Sequence, residues 1–229
     1  MNLIDIHTHA IKGSANLEII NLYAQELATN SLLQPCTAGF HPWHLNDYDE
    51  RAMMNLLHDL SSRPQIVGIG ECGIDLSIGI GIEKQERIFL KQAGIAEIAG
   101  KPLIIHCVKA YNEITSLHKQ MKARVPWIFH GYAAKPQITK LLLKHNFYFS
   151  FGEALLNEKQ KAADSLKIIP AERIFFETDE SNLPVSEIYS VAAKILKMDI
   201  EKLEEQVSEN YRKVFGHGEV ETTDITAGW

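Results

Sequence analysis

The chain has 229 residues, 45% of them hydrophobic and 23% charged, with a formal net charge of −6 at pH 7. That is the mix of a folded globular protein, and with no dense Lys/Arg run it excludes one that coats long duplexes by neutralising phosphates. No run approaches the ~18 consecutive apolar residues of a membrane span, so no membrane partner is expected.

The start, Met1 to Ala10, lacks a basic segment followed by an apolar run, so no secretory leader is expected. Cys36, Cys72 and Cys107 are too few and too scattered for a disulfide framework, which makes a reducing cytoplasm the expected location.

Short apolar runs alternate with longer amphipathic stretches along the chain. The runs are Leu3–Ile6, Leu17–Tyr23, Thr37–Phe40, Ile66–Gly70, Leu103–Ile105, Trp127–Phe129, Phe147–Phe151 and Ile174–Phe176. Being apolar on both faces, they read as parallel strands covered by helices. Leu17–Tyr23 could instead open a helix running to Leu27; a strand is preferred because the set otherwise lacks one. Helices are expected at Asp49–Leu60, Ile82–Ala99, Tyr111–Lys122, Pro136–Lys144, Glu158–Leu166, Val185–Leu196 and Ile200–Phe215. Gly100-Lys101-Pro102 is a stop signal after the second of these, and Pro136 sits early in the fourth, where its missing N–H does little harm.

Repeated strand-then-helix order predicts a parallel sheet, and eight strands predict a closed (β/α)₈ barrel formed by one domain, residues 1–229. The stretch from Ala10 to Phe40 is too short for two full strand–helix units. The barrel should therefore be distorted, with at least one outer helix missing near the N-terminus. Its bare wall would be screened by the C-terminal segment or by a second subunit.

Ionisable residues gather where the runs end. The first ends in Asp5-Ile6-His7-Thr8-His9, the fourth in Gly70-Glu71-Cys72-Gly73, the fifth in His106, the sixth in His130 and the eighth in Glu177-Thr178-Asp179. All strands of a parallel barrel point one way, so these ends share one rim. One histidine on a strand is ordinary core. Four histidines and two carboxylates at equivalent ends predict a site for divalent metal. Imidazole with carboxylate suits Zn²⁺ or Mn²⁺, and Mg²⁺ if carboxylate and water dominate. His7 and His9, two apart on a strand, face the same side. Glu71, midway round the barrel, has two oxygens with which to bridge a pair of ions.

Secondary candidates lie on the same rim. His41, in His41-Pro42-Trp43-His44, and Lys109 are read as substrate contacts. Lys135 is a weaker candidate of the same kind. Trp43 and Tyr132 could stack on a base, with rim packing as the plainer reading. Asp75 is expected to anchor the loop after Glu71. Cys72 and Cys107 are read as small hydrophobes, and His58, His118, His145 and His217 as ordinary.

This set resembles the amidohydrolase superfamily and, within it, the TatD-related DNases. The resemblance rests on Asp5-Ile-His-Thr-His9, Gly39-Phe-His-Pro42, Glu71-Cys-Gly-Ile-Asp75, Gln85, Ile105-His-Cys-Val-Lys-Ala110, His130-Gly-Tyr, Phe151-Gly152, Glu177-Thr-Asp179 and the ending Asn210-Tyr-Arg-Lys-Val-Phe-Gly216. It implies a metal-dependent hydrolase of phosphodiesters, a nuclease, with two divalent ions. By the same resemblance His7, His9 and Asp179 would hold one ion and His106 and His130 the other, with Glu71 between them. Asp179, with Glu71, would serve the catalytic step, Asp179 by taking the proton of the attacking water. The expected partner is nucleic acid or a small phosphodiester. The chain departs from the family pattern after Asp179, where Glu180-Ser181 precedes a delayed Pro184. It departs again at Lys109, where many members carry Arg; a lysine binds phosphate as a point charge, without a bidentate fork. The N-terminal part is shortened, as in a compact bacterial subgroup. An alternative keeps the barrel and metals but hydrolyses a small amide, ester or phosphate ester, since one fold hosts many chemistries. Glu71, where amidohydrolases with a carbamylated bridge need Lys, favours the first reading. A barrel that merely retains metal as a scaffold would be favoured by a lost ligand, and none is lost. A histidinol-phosphate-type phosphatase fits the Glu177-Thr-Asp179 segment less well.

Overall fold

Among the described residues eight strands form, all but β3 carrying Ile or Phe: β1 (Ile4–Thr8), β2 (Leu17–Tyr23), β3 (Cys36–Gly39), β4 (Ile66–Asp75), β5 (Leu103–Val108), β6 (Trp127–Phe129), β7 (Phe147–Phe151) and β8 (Ile174–Phe176). They pair in chain order, every neighbour parallel. This computed structural model describes residues 2–24, 34–156 and 161–216. The ends of the sheet meet where Thr8 bridges Asp179 and the Asp179 N–H donates to the His7 carbonyl at 2.9 Å. The result is a nearly closed barrel, in line with the expected fold.

Among the described residues seven α-helices surround it: α1 (Glu50–Ser61), α2 (Ile82–Ala99), α3 (Tyr111–Met121), α4 (Pro136–Leu142), α5 (Lys161–Leu166), α6 (Val185–Leu196) and α7 (Ile200–Phe215). Local chemistry sets their ends. The Asp49 carboxylate caps α1 by accepting the Ala52 N–H. Gly100 closes α2 at φ 65°, a left-handed turn that costs glycine little. Each helix buries a stripe, such as Met53, Leu57 and Leu60 of α1 and Ile88, Phe89, Ala93 and Ala96 of α2. Large aromatic side chains of β6, β7 and β8, namely Trp127, Phe129, Phe147, Phe149, Phe175 and Phe176, are fully buried.

Leu17–Tyr23 is a strand, and the connection 9–16 between β1 and β2 holds no helix, which is the shortening expected from the sequence. The C-terminal helices screen this side. Asn2 donates from its backbone to Glu204 and from its side chain to Ser208, both on α7. Tyr189 of α6 accepts the Ile4 N–H and donates its hydroxyl to the Ile4 carbonyl. For the expected helix Glu158–Leu166, residues 158–160 lie outside the described residues, as do Leu27 and His217.

Two strands run further than the apolar pattern suggested. β4 continues to Asp75 and β5 to Val108, because their ladder keeps pairing through Cys72 with Ile105, Gly73 with His106 and Asp75 with Val108. Glu71 and His106 therefore sit inside strands rather than in the loops after them. The hydrogen-bonded neighbour, not side-chain hydrophobicity, sustains these polar stretches. Two glycines permit the close approach: a Cβ on Gly73 would collide with the His106 carbonyl, and one on Gly70 with the Ile104 carbonyl.

Candidate metal centre

Glu71 is the hub of the site. Its buried carboxylate faces five imidazoles: His130 Nε2 at 2.6 Å, His106 Nδ1 at 2.7 Å and His41 Nε2 at 3.3 Å around Oε1, with His7 Nε2 at 3.6 Å and His9 Nε2 at 3.9 Å from Oε2. These come from four strands or strand ends: His7 and His9 from β1 and its end, His41 from the end of β3, His106 from β5 and His130 from the end of β6. Asp179, from the end of β8, places Oδ1 3.6 Å from His7 Nε2 and 3.3 Å from His9 Nε2. The structure thus brings all six expected ligands together, and among the described residues their donor atoms form the groups His7–His9–Asp179 and His7–Glu71–His130.

The separations suit ligands that share a cation. Two donors each ~2.1 Å from a tetrahedral ion stand about 3.4 Å apart, close to the distances at His7, His9 and Asp179. His7 adds a second sign: fully buried, it has no hydrogen-bond partner on either ring nitrogen. A buried imidazole left so is costly unless something binds it. The donor set and its orphaned nitrogens fit divalent metal.

Electrostatics point the same way. Burial would raise the Glu71 carboxyl, but the cationic His130 and the bonds from His106, His130 and His41 hold it well below the usual range. Burial would lower His130, yet Glu71 and Glu177 push it well up. His7 is lowered by burial and by repulsion from His130, but Asp179 and Glu71 outweigh both and raise it to about 9.

Further residues hold these ligands in place. His130 Nδ1 lies 3.4 Å from Glu177 Oε1, and the same oxygen accepts the Gly131 N–H. Asp5 accepts the Thr178 N–H and hydroxyl and the His7 N–H, tying β1 to the β8 end; burial raises its carboxyl to about 6 despite these bonds. Lys12 donates to the Thr178 hydroxyl at 2.6 Å and to the Asp179 carbonyl at 3.2 Å, fixing Asp179 at its left-handed φ of 49°. On α2, Gln85 bonds the Asp75 N–H and carbonyl, and Gln92 bonds the Phe40 N–H and carbonyl, just before His41. The roles of Lys12, Gln92 and Glu177 were missed in the sequence. For Gln92 a signal existed: Gln85 and Gln92 are seven apart, on the face of α2 that also carries apolar core residues.

The secondary candidates divide. His41 is buried and its Nδ1 accepts the Trp43 N–H at 3.2 Å. That fixes the hydrogen of the neutral ring on Nε2, the nitrogen aimed at Glu71, so His41 points a donor rather than a lone pair into the cup. Burial, outweighing the pull of Glu71, keeps it neutral. Asp75 anchors its loop as expected, accepting from Ser77 and from Trp43 Nε1, and also lies 3.4 Å from His106 Nε2. Those bonds outweigh burial and hold it at about 2. Trp43 is exposed at the rim, whereas Tyr132 is buried among Phe149 and Phe151 with its hydroxyl on Thr139, so it is core. Cys72 is buried and its thiol is pushed well up by burial, as fits a small hydrophobe. Asn210 donates to the Ala171 and Ile174 carbonyls and so fastens α7 to the start of β8. Lys109, at φ 59°, lies outside the imidazole cup in the groove beside Gly131.

Residues 7–216 match the family model described as TatD related DNase. The chain is 29% identical over 160 residues to a protein of Escherichia coli (strain K12) named 3'-5' ssDNA/RNA exonuclease TatD; the match covers 68% of this chain and 61% of that protein. It is 26% identical over 193 residues to the metal-dependent hydrolase YabD of Bacillus subtilis (strain 168), covering 77% of this chain and 75% of the relative. The crystal structure of YJJV, a TatD homolog from Escherichia coli k12, superposes with a TM-score of 0.81 at 18% identity, covering 93% of this chain and 98% of the other. With this site on this barrel, and a family match from the first metal-type histidine to the last turn of α7, the chain belongs to the TatD related DNase family.

Proposed function

We propose that the 229 residues act as one barrel domain, a divalent-metal-dependent hydrolase that cleaves phosphodiester bonds at nucleic-acid ends. The observation that carries this reading is the single buried carboxylate of Glu71 with five imidazole nitrogens within 4 Å. By the family resemblance His7, His9 and Asp179 would hold one ion and His106 and His130 the other, with Glu71 between them. When bound, a pair of divalent ions supplies Lewis acidity and lowers the pKa of a shared water; Zn²⁺, Mn²⁺ and Mg²⁺ are the candidates.

The chain's own residues do the rest. Glu71 holds the imidazoles in register. Asp179 is the one carboxylate of the cup with substantial exposure, 40% of its side chain, so it meets solvent and takes the proton from the attacking water. His41 Nε2–H is fixed as a donor and serves a phosphate oxygen of the substrate. Lys109 stands at the mouth and offers a second, purely electrostatic contact. The buried walls exclude bulk water around these groups, which strengthens each interaction. Among the described residues no helix is long and apolar enough to cross a membrane. The three scattered, unpaired cysteines fit a reducing compartment, and the cytoplasm is the location we propose.

The test is digestion of end-labelled single-stranded and duplex oligonucleotides by chelator-stripped protein resupplied with each ion, beside a panel of esters and amides. Stepwise shortening of oligonucleotides that needs added metal supports the reading. Turnover of amides or lactones with none of oligonucleotides refutes it.

A further inference from the structure

Although the chain is acidic overall, one face is not. Between α3 and α4 runs a groove of 890 Å³ lined by Lys109, Lys119, Lys135, Lys144 and Lys161, with no Asp or Glu lining it among the described residues. Outside the groove three lysines pair with a carboxylate, Lys91 with Glu50, Lys167 with Asp164 and Lys202 with Asp199; what sets the groove apart is five lysines lining one surface. Among the described residues none of the five groove lysines has a carboxylate within 4 Å. Five unpaired ammonium groups around one groove repel each other, so this arrangement costs stability and favours an anion. At the outer end Lys119 and Lys144 converge on His145; burial first, and then these two charges, lower its pKa.

The groove opens onto the cup. Gly131, next to His130, and Lys109, three residues beyond His106, both line it. From Tyr111 to Lys119 is about 12 Å of helical rise, too long for one phosphate. The floor is apolar: Ile138, Leu142 and Leu141, the last 55% exposed. Lysines on the walls and an apolar floor match the two faces of a single nucleic-acid strand, charged backbone and flat bases.

The geometry points to the α3–α4 groove as the track of a single nucleic-acid strand, whose backbone runs from the Glu71 cup past Lys135 to Lys119 and Lys144. This rests on the hydrolase reading only for what happens at the end of the strand; the binding itself is independent of cleavage.

The test compares the full chain, loaded with Mn²⁺, with its Lys119→Gln, Lys144→Gln, Lys161→Gln triple variant. The probe is a fluorescent strand of about ten nucleotides with a hydrolysis-resistant phosphorothioate backbone, titrated across a salt series. Wild type should bind, and the variant's Kd should rise roughly tenfold or more at low salt. The slope of log K against log salt should shrink by about 2, the value for three contacts to a single strand. Turnover of bis(p-nitrophenyl) phosphate, too small to reach the groove, should be unchanged. Equal strand affinity in the two proteins, or none in wild type, overturns the groove. So does displacement of the strand by polyglutamate as readily, charge for charge, as by a second oligonucleotide. A wild type that binds the strand but hydrolyses neither bis(p-nitrophenyl) phosphate nor an unmodified oligonucleotide of the same length sinks the hydrolase reading while leaving the groove standing.

Discussion

His130 Nδ1 stands 3.4 Å from Glu177 Oε1, while its Nε2 meets Glu71 at 2.6 Å. A carboxylate behind an imidazole sets which nitrogen keeps the hydrogen and which faces the cation. Glu177→Gln keeps an oxygen for the Gly131 N–H but removes the charge. Metal affinity should fall roughly 10–100-fold with little change in melting temperature, measured by competition against a chromogenic chelator. An unchanged affinity would show that His130 is oriented by something else.

Metal and protons compete for His7. In the metal-free protein its pKa is raised to about 9, so at neutral pH it is protonated, and a ligand must be neutral. Metal uptake should therefore tighten as pH rises from 6.5 to 9. The stability of the metal-free protein should move the other way. A folded pKa above the unfolded one contributes stability that is complete below pH 6.5 and disappears as pH climbs through about 9. Thermal melts of chelator-treated protein at stepped pH should show the midpoint falling across that window, and metal-loaded protein should not follow it. A metal-free midpoint that is flat or rising between pH 6.5 and 9 would contradict the charge assignment.

Gln92 spends both ends of its amide on Phe40, the residue before His41. Gln92→Ala leaves a buried N–H and a buried carbonyl without partners, at a cost of roughly 2–4 kcal/mol. Urea unfolding should show this as a lower midpoint with an unchanged slope. A loss under about 0.5 kcal/mol would mean that water takes over both bonds.

Gly73 lies against the β5 backbone, where a Cβ would overlap the His106 carbonyl. Gly73→Ala should cost about 3 kcal/mol or more and push β5 away from β4, giving poorly folded protein by circular dichroism. Gly94, with open space at its Cβ, is the control: Gly94→Ala, mid-helix in α2, should stabilise by up to ~1 kcal/mol.

How legible this was depends on the kind of signal. The eight strands could be read because parallel strands under helices are apolar on both faces, and Phe147–Phe151 or Ile174–Phe176 hardly allow another reading. The six cup residues could be read because each marks the end of such a run. The extensions of β4 and β5 could not, since Glu71, Cys72 and Gly73 owe their strand geometry to β5 backbone partners. Nor could the supports. Lys12 looks like any loop lysine until the barrel brings it to Thr178, far away in sequence. Glu177 was seen as part of a motif, but its partner His130 sits on another strand. The groove escaped notice for the same reason: its lysines are scattered along the chain, and only the packing of α3 beside α4 makes them one surface.

Metal stoichiometry by mass spectrometry, on protein stripped with chelator and then reloaded with Zn²⁺ or Mn²⁺, bears on the whole reading at once. Wild type should retain two ions per chain, and Glu71→Gln should lose at least one of them while keeping a wild-type circular dichroism spectrum. A wild type that takes up no divalent ion, or a Glu71→Gln protein that holds as many ions as tightly, would contradict a metal centre built on Glu71.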